Sequence, residues 1–265
     1  MAGPALCVCK GGFTFTFIDP TGWNIDSGPV FEFLSQRHGE VLFNFMAEDI
    51  NRHVGYEGVA RSVGRFLAAP DWKDEFNALP NDWNNEKRIL HLLKKRMKTA
   101  TVAQYTPDFP ILKPRENRVK MRLVLGTRSA HGVKVFRDAQ GKVEQLQIKM
   151  RYRIRREEEG VATLFSDEEI AMLEQGSAGI GCPKFQREAG EHVLSRLSES
   201  KSLLFEDIAI EVMEAVPIRN TQLKHLLLEM RLQGRVAFTL PGRKRKPLDG
   251  TRISLVETLP AFNAD

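Results

Sequence analysis

FTFTFIDPTGW, residues 13 to 23, decides how this chain is read. Phe and Thr alternate up to Ile18, the β-branched and aromatic pattern of a strand. Pro20 must end that strand, because proline has no backbone N–H to give to a ladder. In open α/β sheets, ligands bind just past the carboxyl ends of strands. Asp19, Pro20, Gly22 and Trp23 therefore stand where a catalytic turn belongs. Asp19 is the candidate for contact with a substrate amine or a cofactor, and Trp23 is near enough to stack. The same turn also has a purely architectural explanation: Asp caps it, Pro fixes its entry and Gly permits an unusual backbone angle.

Working outward, Ser27-Gly28-Pro29 leads into a helical pattern from Val30 to Arg37, and VLFNFM at 41–46 reads as a second short strand. Strand, helix, strand predicts a parallel pair with the helix as its crossover. Asn44 would then be buried between Phe43 and Phe45, with neighbouring backbone groups satisfying its amide. Asp49, Asn51 and Arg52, together with Glu48 and His53, follow that strand end. They are candidate substrate or structural groups on the same edge, or simply a solvated loop. Helical spacing recurs at Val59, Val63, Phe66 and Leu67, and again at Ile89, Leu92, Leu93 and Met97. The stretch between them, rich in Asp, Asn, Pro and Trp, reads as a loop or lid. Strands are expected at 100–106 and 121–126, joined by a Pro- and Arg-rich connection. From 132 to 158 a strand alternation (Leu146, Ile148, Met150, Tyr152, Ile154) competes with a helical stripe (Phe136, Ala139, Val143, Leu146, Met150). Length decides for a helix stopped at Gly160.

Farther on, Ser166 and Glu169 form a capping-box signature, and the Gly-, Ser- and Ala-rich stretch from Gly176 to Pro183 marks a boundary. Helical periodicity covers 187–198 and 206–215, Pro217 breaks it, and a third helix runs from Asn220 or Thr221 to Gln233, stopped by Gly234. Two β-rich runs, 235–240 and 251–256, are joined by PGRKRKPLDG. Three helices followed by a basic hairpin is the plan of a winged helix-turn-helix. The expected organisation is an α/β domain over 1–160, a linker with a short helix over 161–185, and a winged-helix-like domain over 186–265. Lys224, Arg231, Arg243, Lys244, Arg245 and Lys246 are its candidate contacts with nucleic acid. Winged helices equally serve as protein-interaction modules, so a protein partner stands beside nucleic acid.

The chain has 265 residues and is 42% hydrophobic, enough for real cores. Its 39 basic and 34 acidic side chains give a net charge of +5, too mild to establish a nucleic-acid binder. The distribution says more: the excess concentrates in 101–150 and in two tight runs, Arg151 to Arg156 and Arg243 to Lys246. Three cysteines, Cys7, Cys9 and Cys182, fit no disulfide framework and suit a reducing cytoplasm. No metal site can be assembled from their spacing or from the lone His53 and His131. No run approaches the roughly 20 apolar residues of a membrane span, so a cytoplasmic protein with no membrane partner is expected.

FTFTFIDPTGW, then VLFNFMAEDINR at 41–52, then RLVLGTRSAHGVKVFRDA at 122–139 resemble, in order and spacing, the successive signatures of the three-Cys-motif partner proteins. The basic C-terminal tail is also similar to that family's. The resemblance implies a bacterial protein similar to class I S-adenosylmethionine-dependent methyltransferases. Its partner would be a radical-SAM-like protein carrying the three-cysteine motif. It also implies a partial Rossmann-like sheet, with 13–18 as the fourth strand, VLFNFM as the fifth, and the strands near 100 and 121 as the terminal antiparallel hairpin. Asp19 and Pro20 match the Asp/Asn-Pro-Pro-aromatic turn of amino-methyltransferases, with Thr21 and Gly22 replacing the second proline and the aromatic. The Gly-rich turn and the acidic residue that hold S-adenosylmethionine in such folds are missing, and Gly11-Gly12 precedes the wrong strand. The chain is therefore expected to be truncated at its N-terminus, to bind no cofactor by itself and to be inactive alone. Self-association through the sheet edge left unpaired is a further expectation. The alternative is a non-enzymatic DNA-binding or adaptor protein acting through its winged helix.

Overall fold

The computed structural model describes residues 12–20, 24–48, 56–160, 165–240 and 242–256. The fold is mixed α/β and divides into two compact units, Met1–Ser129 and Ala130–Asp265. In the first unit, β1 (Thr14–Ile18) leads through α1 (Ser27–Ser35) to β2 (Gly39–Phe45). The two strands pair in parallel, with Thr14 opposite Gly39 and Ile18 opposite Phe43, and α1 is the expected crossover. Asp26 caps α1 by accepting from the Gly28 N–H. Pro29 falls in the first turn, where its missing N–H has no intrahelical partner anyway. At the other end, Arg128 donates to the carbonyls of Leu34, Ser35 and Arg37, satisfying the helix's last acceptors. Gly39 sets the β1–β2 register: a Cβ there would lie 1.9 Å from the Thr14 carbonyl oxygen.

Helices α2 (Glu57–Phe66), α3 (Trp72–Ala78) and α4 (Asn85–Thr99) follow, and then the hairpin of β3 (Asp108–Leu112) and β4 (Val119–Gly126). The sheet order is β1-β2-β4-β3, with β4 antiparallel to both neighbours, so β3 runs in the same direction as β1 and β2. The expected loop at 70–83 contains a helix. It is anchored by the buried Trp72 indole, whose N–H donates to the Ala60 carbonyl at 3.0 Å. The expected strand at 100–106 is absent. Thr101 turns with φ +56, and the N–H groups of Val102 and Ala103 fold back onto the Met97 carbonyl, closing off α4. The strand is instead DFPIL at 108–112, at the sheet's edge, where Pro110 costs no interior ladder bond. Arg122 of β4 joins this hairpin to α4 through Glu86 and Asp108. Burial opposes the charge on Arg122, but the two carboxylates outweigh it and hold the guanidinium above its ordinary pKa.

The core of this unit lies on one face of the sheet. Val41, Phe43, Phe45 and Val124 pack there with Val63, Phe66, Ile89, Leu93 and Met97 of the helices. Thr14, Thr16 and Ile18 share that face by register, while Phe15 and Phe17 point the other way and are each 56% exposed. In FTFTFI the phenylalanines therefore lie outside and only Ile18 is buried.

The second unit begins with α5 (Ala130–Glu159), so the ambiguous stretch is a helix, ended by Gly160 at φ +64. Residues 130–160, assigned from sequence to the α/β half, pack here with the second unit. Next come α6 (Asp167–Ala178), with its Ser166–Glu169 capping box, α7 (Pro183–Ser200), β5 (Ser202–Leu204), α8 (Phe205–Ala215) and α9 (Asn220–Leu232). Gly234, at φ +70, turns α9 into β6 (Val236–Ala237), and β7 (Arg252–Leu255) completes a three-stranded antiparallel sheet in the order β5-β7-β6. The core comprises Val193, Leu197, Phe205, Ile208, Val212, Leu223, Leu227, Met230 and Ile253. Arg137 of α5, 1% exposed, caps α8 by donating to the carbonyls of Met213 and Glu214. No helix among the described residues is long and apolar enough to cross a membrane.

No strand among the described residues pairs with the outer side of β1, and this edge carries no proline, charge or bulge to blunt it. Sedimentation velocity is expected to show concentration-dependent self-association of the protein, abolished in the Phe15→Lys, Phe17→Lys double variant. A wild-type protein that stays monomeric over the same range would show that another segment covers the edge.

Candidate functional site

Parallel pairing and the crossover bring the carboxyl ends of β1 and β2 to one edge. Because β3 runs the same way, the β3–β4 turn lies on that edge too. There Asn44, 6% exposed, donates through Nδ2 to the Asp19 carboxylate at 2.6 Å. The amide is thus held by a side chain 25 residues away and not by neighbouring backbone, which corrects the sequence reading. Its other atom, Oδ1, is buried and meets no hydrogen-bond partner among the described residues. Asp19 itself is exposed and Pro20 is buried. No cation among the described residues pairs with Asp19.

Glu48, just past β2, is engaged differently. It accepts from Lys113 at 2.8 Å and from Arg118 at 2.5 Å, both from the β3–β4 turn. The basic character of that turn was visible in the sequence, but its meeting with Glu48 was not, since 65 and 70 residues separate the partners. Gly22 and Trp23, like Asp49, Asn51, Arg52 and His53, lie outside the described residues, as do Cys7 and Cys9.

Among the described residues, the edge holds the exposed Asp19 carboxylate beside the buried Asn44 carbonyl oxygen. Both atoms accept, so the group that complements them is a donor, an amine, amide or hydroxyl N–H or O–H.

The basic candidates in the second unit are distributed unequally. Lys224 sits over the Phe205 ring, with its Nζ 5.0 Å from the centroid, and Arg231 covers Phe238 at 4.9 Å. Lys246 Nζ lies 2.8 Å from His225 Nε2, pinning the end of the basic run to α9. Arg243, Lys244 and Arg245 are exposed. Arg231, Phe238, Thr239, Arg252 and Ser254 line a shallow groove alongside.

No family model matches this chain, and neither does any curated protein or solved structure.

Substitution of an exposed residue ordinarily changes stability by less than about 0.5 kcal/mol. Asp19→Ala is expected to cost about 1 to 3 kcal/mol, because it leaves both polar atoms of a buried amide without partners. Adding Asn44→Leu, which removes that amide at similar volume, is expected to recover most of the loss. Urea denaturation of the two variants checks both statements; a single variant as stable as wild type would break the link.

Proposed function

We propose that the first unit is the substrate-side half of a methyltransferase-like domain. In this reading the chain is a three-Cys-motif partner protein working with a radical-SAM-like protein. The observation that carries the proposal is the Asp19–Asn44 pair at the carboxyl edge of a parallel strand pair. The sheet supports it. A parallel pair joined by a helix, followed by an antiparallel hairpin whose second strand inserts next to the pair, fits the fourth and fifth strands and terminal hairpin that the resemblance implies.

S-adenosylmethionine would supply the transferable methyl group in such a domain. The described residues do not fit its binding half. Among the described residues a Cβ added at Gly12 meets nothing within 4 Å, so no close-approach cradle stands there, and Asp26, the second acid after β1, is committed to capping α1. The chemistry left to these residues is positioning. Asp19 and the Asn44 carbonyl hold a donor group of the substrate in a fixed orientation, and orientation alone accounts for a large share of rate enhancement in transfer reactions.

A second reading rests on a different observation. Three helices interleaved with a β5-β7-β6 sheet, in the chain order α7-β5-α8-α9-β6-β7, have the make-up of a winged helix. In that reading the first unit is a scaffold, and α9 with the β6–β7 connection binds nucleic acid or a partner protein without catalysis.

Calorimetric titration of S-adenosylmethionine into a homologue that carries both a Gly-rich cofactor turn and the equivalent of this unit separates the two. The methyltransferase reading expects binding, with the equivalent of Asp19→Ala changing the affinity by less than about tenfold, 1.4 kcal/mol, because Asp19 faces substrate and not cofactor. Absence of binding removes that reading.

A further inference from the structure

We infer that the second unit grips the phosphate backbone of double-stranded nucleic acid through its β6–β7 side, without reading base sequence. This rests on the nucleic-acid form of the second reading and specifies its ligand. Residues 231–256 hold seven cations, Arg231, Arg235, Arg243, Lys244, Arg245, Lys246 and Arg252, against a single carboxylate, Asp249. Asp249 already lies 3.4 Å from Lys134. Arg235, Arg243, Lys244, Arg245 and Arg252 are exposed and meet no carboxylate among the described residues.

The other basic run of the chain provides the contrast. Arg153 and Arg156 face Asp167 at 3.4 and 3.7 Å, Arg155 faces Glu174 at 3.6 Å, and Lys149 meets Glu168 at 2.6 Å. That run on α5 is neutralised by α6. The β6–β7 side is left positive.

Base readout needs Arg, Lys, Asn or Gln side chains presented to base edges, usually from a helix. The exposed residues of α9 are Thr221, His225, Glu229, Arg231 and Leu232, and Arg231 lies over the Phe238 ring. His225 is taken by Lys246, Glu229 repels phosphates, and Leu232, 89% exposed, has no hydrogen-bonding group. Gln222 is spent on the Arg219 N–H and the Ile180 carbonyl. Single strands are held by stacking bases on exposed aromatic rings. Phe238, the one Phe, Tyr or Trp in residues 220–256, is buried and covered by Arg231. What remains is a set of exposed cations that suits the closely spaced phosphates of a duplex and is indifferent to sequence.

Fluorescence anisotropy of the whole protein tests this with DNA duplexes of two unrelated sequences, an RNA duplex and a single strand, each of about 20 nucleotides per strand. Equal affinity for the two DNA sequences is expected, with the single strand weaker. Binding of either duplex supports the inference, and the tighter one names the polymer. Replacing Arg243, Lys244 and Arg245 with Gln is expected to shrink the slope of log K against log salt by about 2 to 3, roughly 0.9 for each lost phosphate contact. Circular dichroism of that variant should be unchanged, as all three residues are exposed. A tenfold preference for one sequence, a preference for the single strand, or an unchanged salt slope overturns the inference and leaves the nucleic-acid reading standing. Binding to none of the probes overturns both.

Discussion

The first unit depends on the parallel pairing of β1 with β2. Two parallel strands cannot be joined by a tight turn, so the chain must cross over, and α1 is that crossover. Gly39 holds the pair in one register, since any side chain there would run into the Thr14 carbonyl. A slip of one residue would exchange the faces of β1, burying the phenylalanines and exposing Ile18. The same register puts Asp19 and Asn44 at one edge. The architecture of the sheet and the chemistry of the candidate site are consequences of a single pairing.

Much of this was legible in the sequence, and the reasons for the failures are physical. Strand, helix and strand over 14–45 followed from alternation, the Ser27-Gly28-Pro29 turn signal and spacing. Alternation separates two faces of a strand but does not say which meets the core when both can be buried. In FTFTFI the threonines and Ile18 took the inner face. ATVAQYT at 100–106 has β-branched residues and was read as a strand, yet its backbone is used to terminate α4. DFPIL carries a proline that argues against a strand, and the edge position removes the objection. Asn44 was recognised as a buried amide needing partners, but no local rule points to a partner 25 residues back.

The second unit shows what a charge total conceals. Its two basic runs look alike in the sequence, and three-dimensional packing makes them different: α6 brings acids to one, and nothing among the described residues brings any to Arg243, Lys244 or Arg245. The three helices with their small sheet were readable from periodicity and the stops at Pro217 and Gly234. β5, three residues long, was too short to register as a pattern. Arg137, fully buried on a helix read as amphipathic, gave no sign that it would cap α8.

The Asn44 side chain is bonded to Asp19 across the carboxyl edge of the sheet. Nuclear magnetic resonance of the Asn44 side-chain amide tests it most directly. Nuclear Overhauser contacts from the Asn44 NH2 protons to the β protons of Asp19, lost in Asp19→Ala, are the expected result. Contacts from those protons to neighbouring backbone alone, unaltered by Asp19→Ala, would contradict it.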